Sequence, residues 1–307
     1  MAVVVFERIA IIGIGLIGSS IALAARESSA ARAVALYDAD AAVRTRAREL
    51  SLGDVFNDAA EAVKNADLVV LCVPVGAMAA AAEACKPGLK IGAIVTDVGS
   101  VKQAVVDGLA AALPTYVYLI PGHPIAGTER SGPDAGFAAL FHKRWHILTP
   151  TPGDEREAYT AAVTQLEEFW RALGADVERM APDRHDVVLA VTSHLPHLIA
   201  FNIVAMAEDL EGVTESEVVK YSASGFRDFT RIAASDPTMW RDVFLNNKEA
   251  VLEVLGRFSE DLAALQRAIR WGDGDTLYTL FDRARRMRRE VIDAGQDTPA
   301  PNWGREN

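Results

Sequence analysis

Ile9-Ala10-Ile11-Ile12-Gly13-Ile14-Gly15-Leu16-Ile17-Gly18 opens on four apolar residues, turns on glycines at 13, 15 and 18, and continues as an apolar, alanine-rich stretch to Ala25. The first four residues read as a strand covered on both faces, and Ile17 to Ala25 as a helix. In a strand, glycine turn and helix of this kind, Gly13 permits the tight turn. Gly15 lets the backbone approach a pyrophosphate, and Gly18 lets the helix pack closely on the strand. Leu16 and Ile17 begin the helix, whose free N–H groups and positive dipole end favour phosphate.

Asp38 ends the next strand 20 residues after Gly18. A carboxylate there accepts hydrogen bonds from adenosine ribose hydroxyls and repels a 2′-phosphate, so the expected cofactor is NAD rather than NADP. Further along, β-branched runs alternate with alanine-rich helical stretches. Strands are expected at Val34 to Tyr37, Leu68 to Val73, Ile94 to Asp97 and Tyr116 to Leu119. Helices are expected at Ala39 to Leu50, Asp58 to Asn65, Val75 to Cys85 and Val101 to Leu113. This alternation predicts right-handed crossovers and a mainly parallel, Rossmann-type α/β sheet. A strand at Trp145 to Thr149, a helix at Asp154 to Leu173 and a strand at Asp176 to Met180 are expected to extend it.

After Pro182 no strand pattern returns, and the C-terminal part reads as all-α. The expected domains are therefore residues 1–181 and 182–307. Asp183 is expected to cap a long helix running toward Leu210 and kinked at Pro196. The tail from Asp297 to Asn307 is expected to fray.

Composition narrows the function classes. The 307 residues are 50% hydrophobic and 24% charged, as in ordinary globular chains, with a formal charge of −11 that disfavours polyanions as partners. No nucleic-acid partner is expected. Ile9 to Ala25, between Arg8 and Arg26, superficially copies a signal peptide, but Glu7 and the spaced glycines argue against it. No other run is expected to approach the ~20 apolar residues of a membrane span. Two cysteines without metal-type spacing, Cys72 and Cys85, suit a reducing cytoplasm.

Other candidate site residues lie at the carboxyl ends of the predicted strands, where parallel sheets bind ligands. Val73-Pro74 ends one strand, and Asp97-Val98-Gly99-Ser100 ends the next. Ser100 either meets the ligand or merely caps the following helix. His123 follows the last of these strands and is either a general base or a loop histidine bonded to backbone. His194 and His197 lie three apart on the kinked helix; with no third ligand nearby, they fit a polar substrate better than a metal, and no metal is expected. Arg227 and Arg231 can share a helical face and grip carboxylates, or pair with Asp228 or Asp242. Five arginines at 283 to 289 read as a solvated helix end.

Together GIGLIGSS (13–20), DVGSVK (97–102), HPIAGTE (123–129), SHLPH (193–197), FRDFTRIA (226–233) and SDPTMWRD (235–242) resemble the prephenate/arogenate dehydrogenases of tyrosine biosynthesis, from about residue 8 to about residue 255. The resemblance implies a Rossmann domain that binds the nicotinamide cofactor, and a helical domain that forms a homodimer and covers the active site. It implies oxidative decarboxylation: prephenate gives a hydride from C4 to the cofactor, loses its ring carboxylate as carbon dioxide, and becomes 4-hydroxyphenylpyruvate. By motif, His123 is the base for the C4 hydroxyl, Ser100 aligns that hydroxyl with the base, and Arg231 grips the ring carboxylate. Thr128, Glu129, His194, His197, Asp228 and Trp240 match positions around the substrate or holding the pocket and dimer together, and Arg227 meets the side-chain carboxylate. Ser222-Ala223-Ser224 stands where relatives are richer in glycine. No separate regulatory ACT domain or fused chorismate mutase is expected beyond the helical domain. Whether prephenate, arogenate or both are used is open.

Two other functions compete. A β-hydroxyacid dehydrogenase would carry a catalytic lysine early in its helical domain, where Arg184, His185 and Asp186 stand here. A non-catalytic NAD-sensing regulator would need a DNA-binding or partner module, and none is expected ahead of a first strand that starts near residue 8.

Overall fold

The computed structural model describes residues 4–128, 130–214 and 223–293. Its first half alternates β1 (Phe6–Ile12), α1 (Leu16–Glu27), β2 (Ala31–Tyr37), α2 (Ala41–Glu49), β3 (Asp54–Val55), α3 (Ala59–Val63), β4 (Leu68–Leu71), α4 (Met78–Cys85), β5 (Ile94–Asp97), α5 (Gln103–Ala112) and β6 (Tyr118–Leu119). All six strands are parallel, in the order β3-β2-β1-β4-β5-β6. The chain builds outward first on one side of β1 and then on the other, so a crevice opens beyond the carboxyl ends of β1 and β4.

Strand side chains alternate between two cores, as period-two geometry requires. Ile9 and Ile11 of β1, with Leu68 and Val70 of β4, face a cluster that includes Ile21, Phe169 and Trp170. Ala10 and Ile12, with Val69 and Leu71, face a second cluster with Met78, Ala82 and Leu109. Both faces are covered, which is why these strands read as unbroken apolar runs.

The glycine turn is built as its sequence requires. Gly13 has φ +100°, and a Cβ there would collide with the Cys72 carbonyl of the neighbouring strand end. A Cβ on Gly18 would overlap the Gly13 carbonyl oxygen.

One expectation about the sheet is corrected. β7 (Gly122–Pro124), β8 (Trp145–Leu148) and β9 (Asp176–Arg179) form a separate three-stranded sheet rather than extending the first, with β7 antiparallel and β9 parallel to β8. β6 pairs through two residues only, and Pro121, with no N–H to donate, ends the ladder; its carbonyl instead accepts from Thr149 N–H at 2.8 Å. α6 (Glu157–Ala172) joins β8 to β9.

The following helices are α7 (Pro182–Leu189), α8 (Leu195–Thr214), α9 (Ser224–Thr230) and α10 (Pro237–Asn246). Asp183 does not cap: Ala181 holds the cap position, Pro182 opens the helix, and Asp183 lies within its first turn. In place of a simple kink, Ala190–His194 forms a π-helical turn before Pro196. Pro196 offers no N–H to the preceding turn, and the wider turn absorbs that break. Pro182–Asp209 is long and apolar enough to cross a membrane by length and composition, with mean hydropathy 1.7, which corrects the expectation that no second run qualifies. Here His185, Asp186 and His194 on that run hydrogen-bond to His123, Lys102 and Asn247.

Residues up to Lys248 form one compact unit and those from Glu249 a second. In the second lie α11 (Lys248–Trp271) and α12 (Gly274–Asp293), which carry exposed Leu252, Ile269, Trp271, Tyr278, Phe281 and Met287. Residues 297–307, expected to fray, fall outside the described residues.

Gly18→Ala is expected to push α1 off β1. A loss of about 1–3 kcal/mol is the usual cost of such overpacking, read as a lower melting temperature with weakened nucleotide binding; an unchanged melting temperature would show that the turn has slack.

Candidate active site

The glycine turn leaves a cradle. α1 has no side-chain cap on its first N–H groups, and space is open around Gly15. An anion there would receive those unpartnered donors, so a pyrophosphate fits. Asp38 holds the turn from the β2 side: its Oδ2 accepts from Ile14 N–H at 2.7 Å and its Oδ1 from Asp40 N–H at 2.9 Å. Arg44 donates to the Asp38 and Ala39 carbonyls and lies over the Tyr37 ring. Past β4, Val73 is half-buried and Pro74 exposed at the same edge.

Beyond β5 and β7 lies a buried polar cluster. Lys102, just before α5, is fully buried; its Nζ bonds the Asp97 carboxylate and donates to the Gly122 carbonyl at 2.8 Å. Asp97 also accepts from Gly99 N–H at 2.7 Å and Gly122 N–H at 3.1 Å. The base candidate is thus anchored through the residue that precedes it. Burial pulls the Lys102 ammonium below its ordinary pKa, while Asp97 and Asp186 oppose the shift.

His123 Nδ1 lies 2.9 Å from His185 Nε2, and His185 Nδ1 lies 2.8 Å from Asp186 Oδ1. A carboxylate only accepts, so His185 carries its proton on Nδ1 and presents a lone pair at Nε2. His123 must then donate from Nδ1, which leaves its own lone pair on Nε2. That is the tautomer a general base requires. Burial, then the nearby His185 and Lys102, hold His123 well below the ordinary histidine pKa, so the ring stays neutral. Asp186 is itself held by the N–H groups of Lys102 at 2.7 Å and Gln103 at 2.9 Å, the first turn of α5.

The π-turn and α8 carry the other two candidate histidines. His194 is fully buried, against the edge of Trp240, and His197 stacks flat on Trp240 with ring centroids 3.8 Å apart. The charge of Arg231 acts on His197 and disfavours its protonation. Trp240 packs with Val101 and Val243 in a small third core beside Ser100. Ser100 is half-buried on the turn before α5, and its main chain stands beside the His194 ring. Ser100, His123, His194, His197, Trp240 and Arg231 therefore share one neighbourhood.

Other candidates are not drawn into it. Arg227 and Asp228 form an exposed pair with each other at 3.4 Å; α9 ends at Thr230, but Arg231 keeps helical backbone and its N–H donates to the Arg227 carbonyl, so the two arginines stay one turn apart. Thr128 is half-buried and accepts from Arg130 N–H at 3.2 Å. Glu129 and Ser222 lie outside the described residues. Conversely, Asp97, Lys102, His185, Asp186 and Asn247 were not among the candidates. A His-Asp pair at the start of the helical region, where a catalytic lysine was sought, was the available signal.

Burial depresses the pKa of five histidines, 123, 146, 185, 194 and 197, with His194 drawn down to about 4. Unfolding releases them to ordinary values near ~6.5, so below that pH the unfolded chain binds more protons. Stability is expected to be full above about pH 6.5 and to fall as pH drops from there toward about 4. Urea unfolding across that range checks this; a flat profile would mean the rings are already protonated in the fold.

Residues 21–179 match the family described as prephenate dehydrogenase, nucleotide-binding domain, and residues 181–283 the family described as prephenate dehydrogenase, dimerization domain. A cyclohexadienyl dehydrogenase of Zymomonas mobilis is 46% identical over 92% of this chain and 96% of its own. A prephenate dehydrogenase of Bacillus subtilis is 33% identical over 92% of this chain and 75% of its own. The crystal structure of prephenate dehydrogenase from Aquifex aeolicus in complex with hydroxyphenyl propionate and NAD+ superposes with a TM-score of 0.84 at 33% identity, covering 93% of this chain and 98% of that one. Matches of this extent, over both the glycine-turn sheet and the helices that carry the histidines, make the chain a member of the prephenate dehydrogenase family.

Proposed function

We propose that the protein is an NAD-dependent prephenate dehydrogenase that converts prephenate to 4-hydroxyphenylpyruvate and carbon dioxide, and that also accepts arogenate. The observation that carries this is the chain of bonds from Asp186 through His185 to His123, which leaves a neutral imidazole with a lone pair on Nε2. When bound, NAD would supply the acceptor for the hydride that leaves C4 of the substrate. His123 Nε2 takes the hydroxyl proton as the C4 oxygen becomes a carbonyl. Breaking the bond to the ring carboxylate then returns its electron pair to the ring, aromatises it and releases carbon dioxide. The proton ends on the phenol oxygen. Ser100 aligns the hydroxyl with His123, and Arg231 holds the departing carboxylate. Glu129, Thr128, Arg227, Asp228, His197 and Trp240 complete the pocket or its dimer contacts.

The helical region is proposed to form a homodimer, in keeping with its match to a dimerization domain and with the exposed apolar side chains on α11 and α12. A cytoplasmic location suits the two unpaired cysteines.

The direct test is absorbance at 340 nm with prephenate or arogenate and either cofactor. NAD is expected to be preferred, since Asp38 would meet a 2′-phosphate; equal kcat/KM for NAD and NADP would overturn that preference. His123→Asn should keep the fold and NAD binding while kcat falls about 10²–10⁴-fold. Because the fold holds His123 neutral, the acid limb of kcat is expected below about pH 6.5. An Asn variant that retained native turnover would move the base elsewhere. Arg231→Ala should raise KM for the substrate by about tenfold or more with a smaller change in kcat, and Arg231→Lys should recover only part, lacking the planar fork. An unchanged KM would transfer the carboxylate to another cation.

A further inference from the structure

Asn247, just after α10, is nearly fully buried, and its amide is used twice. Nδ2 lies 2.9 Å from the Asp186 main-chain oxygen and 3.0 Å from His194 Nδ1. A main-chain carbonyl only accepts, so the amide group facing it is the NH2, and its two hydrogens go one to each neighbour. His194 Nδ1 is therefore a lone pair, and the single ring proton sits on Nε2. That Nε2 is buried and makes no hydrogen bond of full geometry among the described residues, with the Ser100 main chain beside the ring. The groups acting on the ring are the Ser100 main chain and Asp186, which favour its charged form, and His185 and His197, which oppose it; burial outweighs them all.

We propose that Asn247 is a positioning residue that fixes His194 as a neutral Nε2–H donor facing the Ser100 turn, so that this histidine cannot serve as the base. Two histidines of one site are then wired in opposite senses from one residue. The Asp186 side chain, through His185, makes His123 an acceptor at Nε2. The Asp186 main chain, through Asn247, makes His194 a donor at Nε2. A substrate hydroxyl near Ser100 thus finds one ring nitrogen that takes a proton and another that only offers one, which gives the proton a single direction of travel. The catalytic consequence rests on the dehydrogenase reading above; the tautomer does not.

The ring-nitrogen chemical shifts of 15N-histidine-labelled protein, free and with NAD, test the tautomer without any turnover. A protonated Nε2 and an unprotonated Nδ1 on His194 near neutral pH are expected, and the reverse pattern would overturn the proposal even if the enzyme were fully active. Asn247→Asp replaces the donor by an acceptor and should place a proton on Nδ1, move the His194 titration up by at least a pH unit, and lower kcat at least about tenfold while leaving KM for NAD within about twofold. A folded Asp variant whose His194 keeps the native shifts would also overturn it. Should that variant not fold, His194→Gln decides: a neutral amide donor should retain at least about tenfold more kcat than His194→Ala with the acid limb unmoved. Equal losses in the Gln and Ala variants, or a lost acid limb in the Gln variant, would mean that the ring's basic nitrogen was what mattered. Absence of prephenate turnover in the native protein, with the expected shifts present, would sink the functional reading and leave the wiring intact.

Discussion

The Asp186 carboxylate accepts from two consecutive N–H groups at the start of α5 and from the ring of His185, which lies next to it in sequence. A buried carboxylate is stable only with such a set of donors, and the positive end of a helix is one of the few places in a fold that supplies them without a full countercharge. The same bonds fix where α7 meets the nucleotide-binding sheet. They also decide which nitrogen of each ring along the chain bears hydrogen, so one anion sets both a packing contact and the protonation pattern of the site.

Charge in this interior is arranged in sequence. Asp97, Lys102 and Asp186 alternate in sign, while the histidines between and around them are kept neutral by burial and by the lysine. Removing a member would leave a partner buried without compensation, which is costlier than the pair itself is stabilising. Lys102 also touches the Gly122 carbonyl, so the countercharge for Asp97 doubles as the brace for the strand that presents His123.

Much of the first sheet was legible because its strands are covered on both faces and its glycine turn has a steric reason at each position. Gly18 answers to a collision only five residues away, with the Gly13 carbonyl, while Gly13 answers to the Cys72 carbonyl on the neighbouring strand end and is legible through its spacing from Gly15 and Gly18. The second sheet was not legible: β7 is three residues long, and its partner β8 lies more than 20 residues on, so nothing local distinguishes it from an extension of the first. Within the site, His123, His194, His197 and Trp240 carry motif signals. His185, Asp186 and Asn247 act through contacts across some 60 residues, His123 to His185 and His194 or Asp186 to Asn247, and no periodicity encodes such bonds. Arg227 and Arg231 do lie one helical turn apart, but Arg227 pairs with Asp228 at the surface, the alternative that spacing left open.

The stacking of Trp240 on His197 has a consequence for how the molecule can be watched. An indole lying flat on an imidazole loses emission when that ring becomes charged, and Arg231 acts on the same imidazole. Any anion that draws Arg231 away or favours protonation of His197 will therefore alter the fluorescence of one of the five tryptophans. The protein carries its own optical gauge of the electrostatic state of its pocket, with no label added.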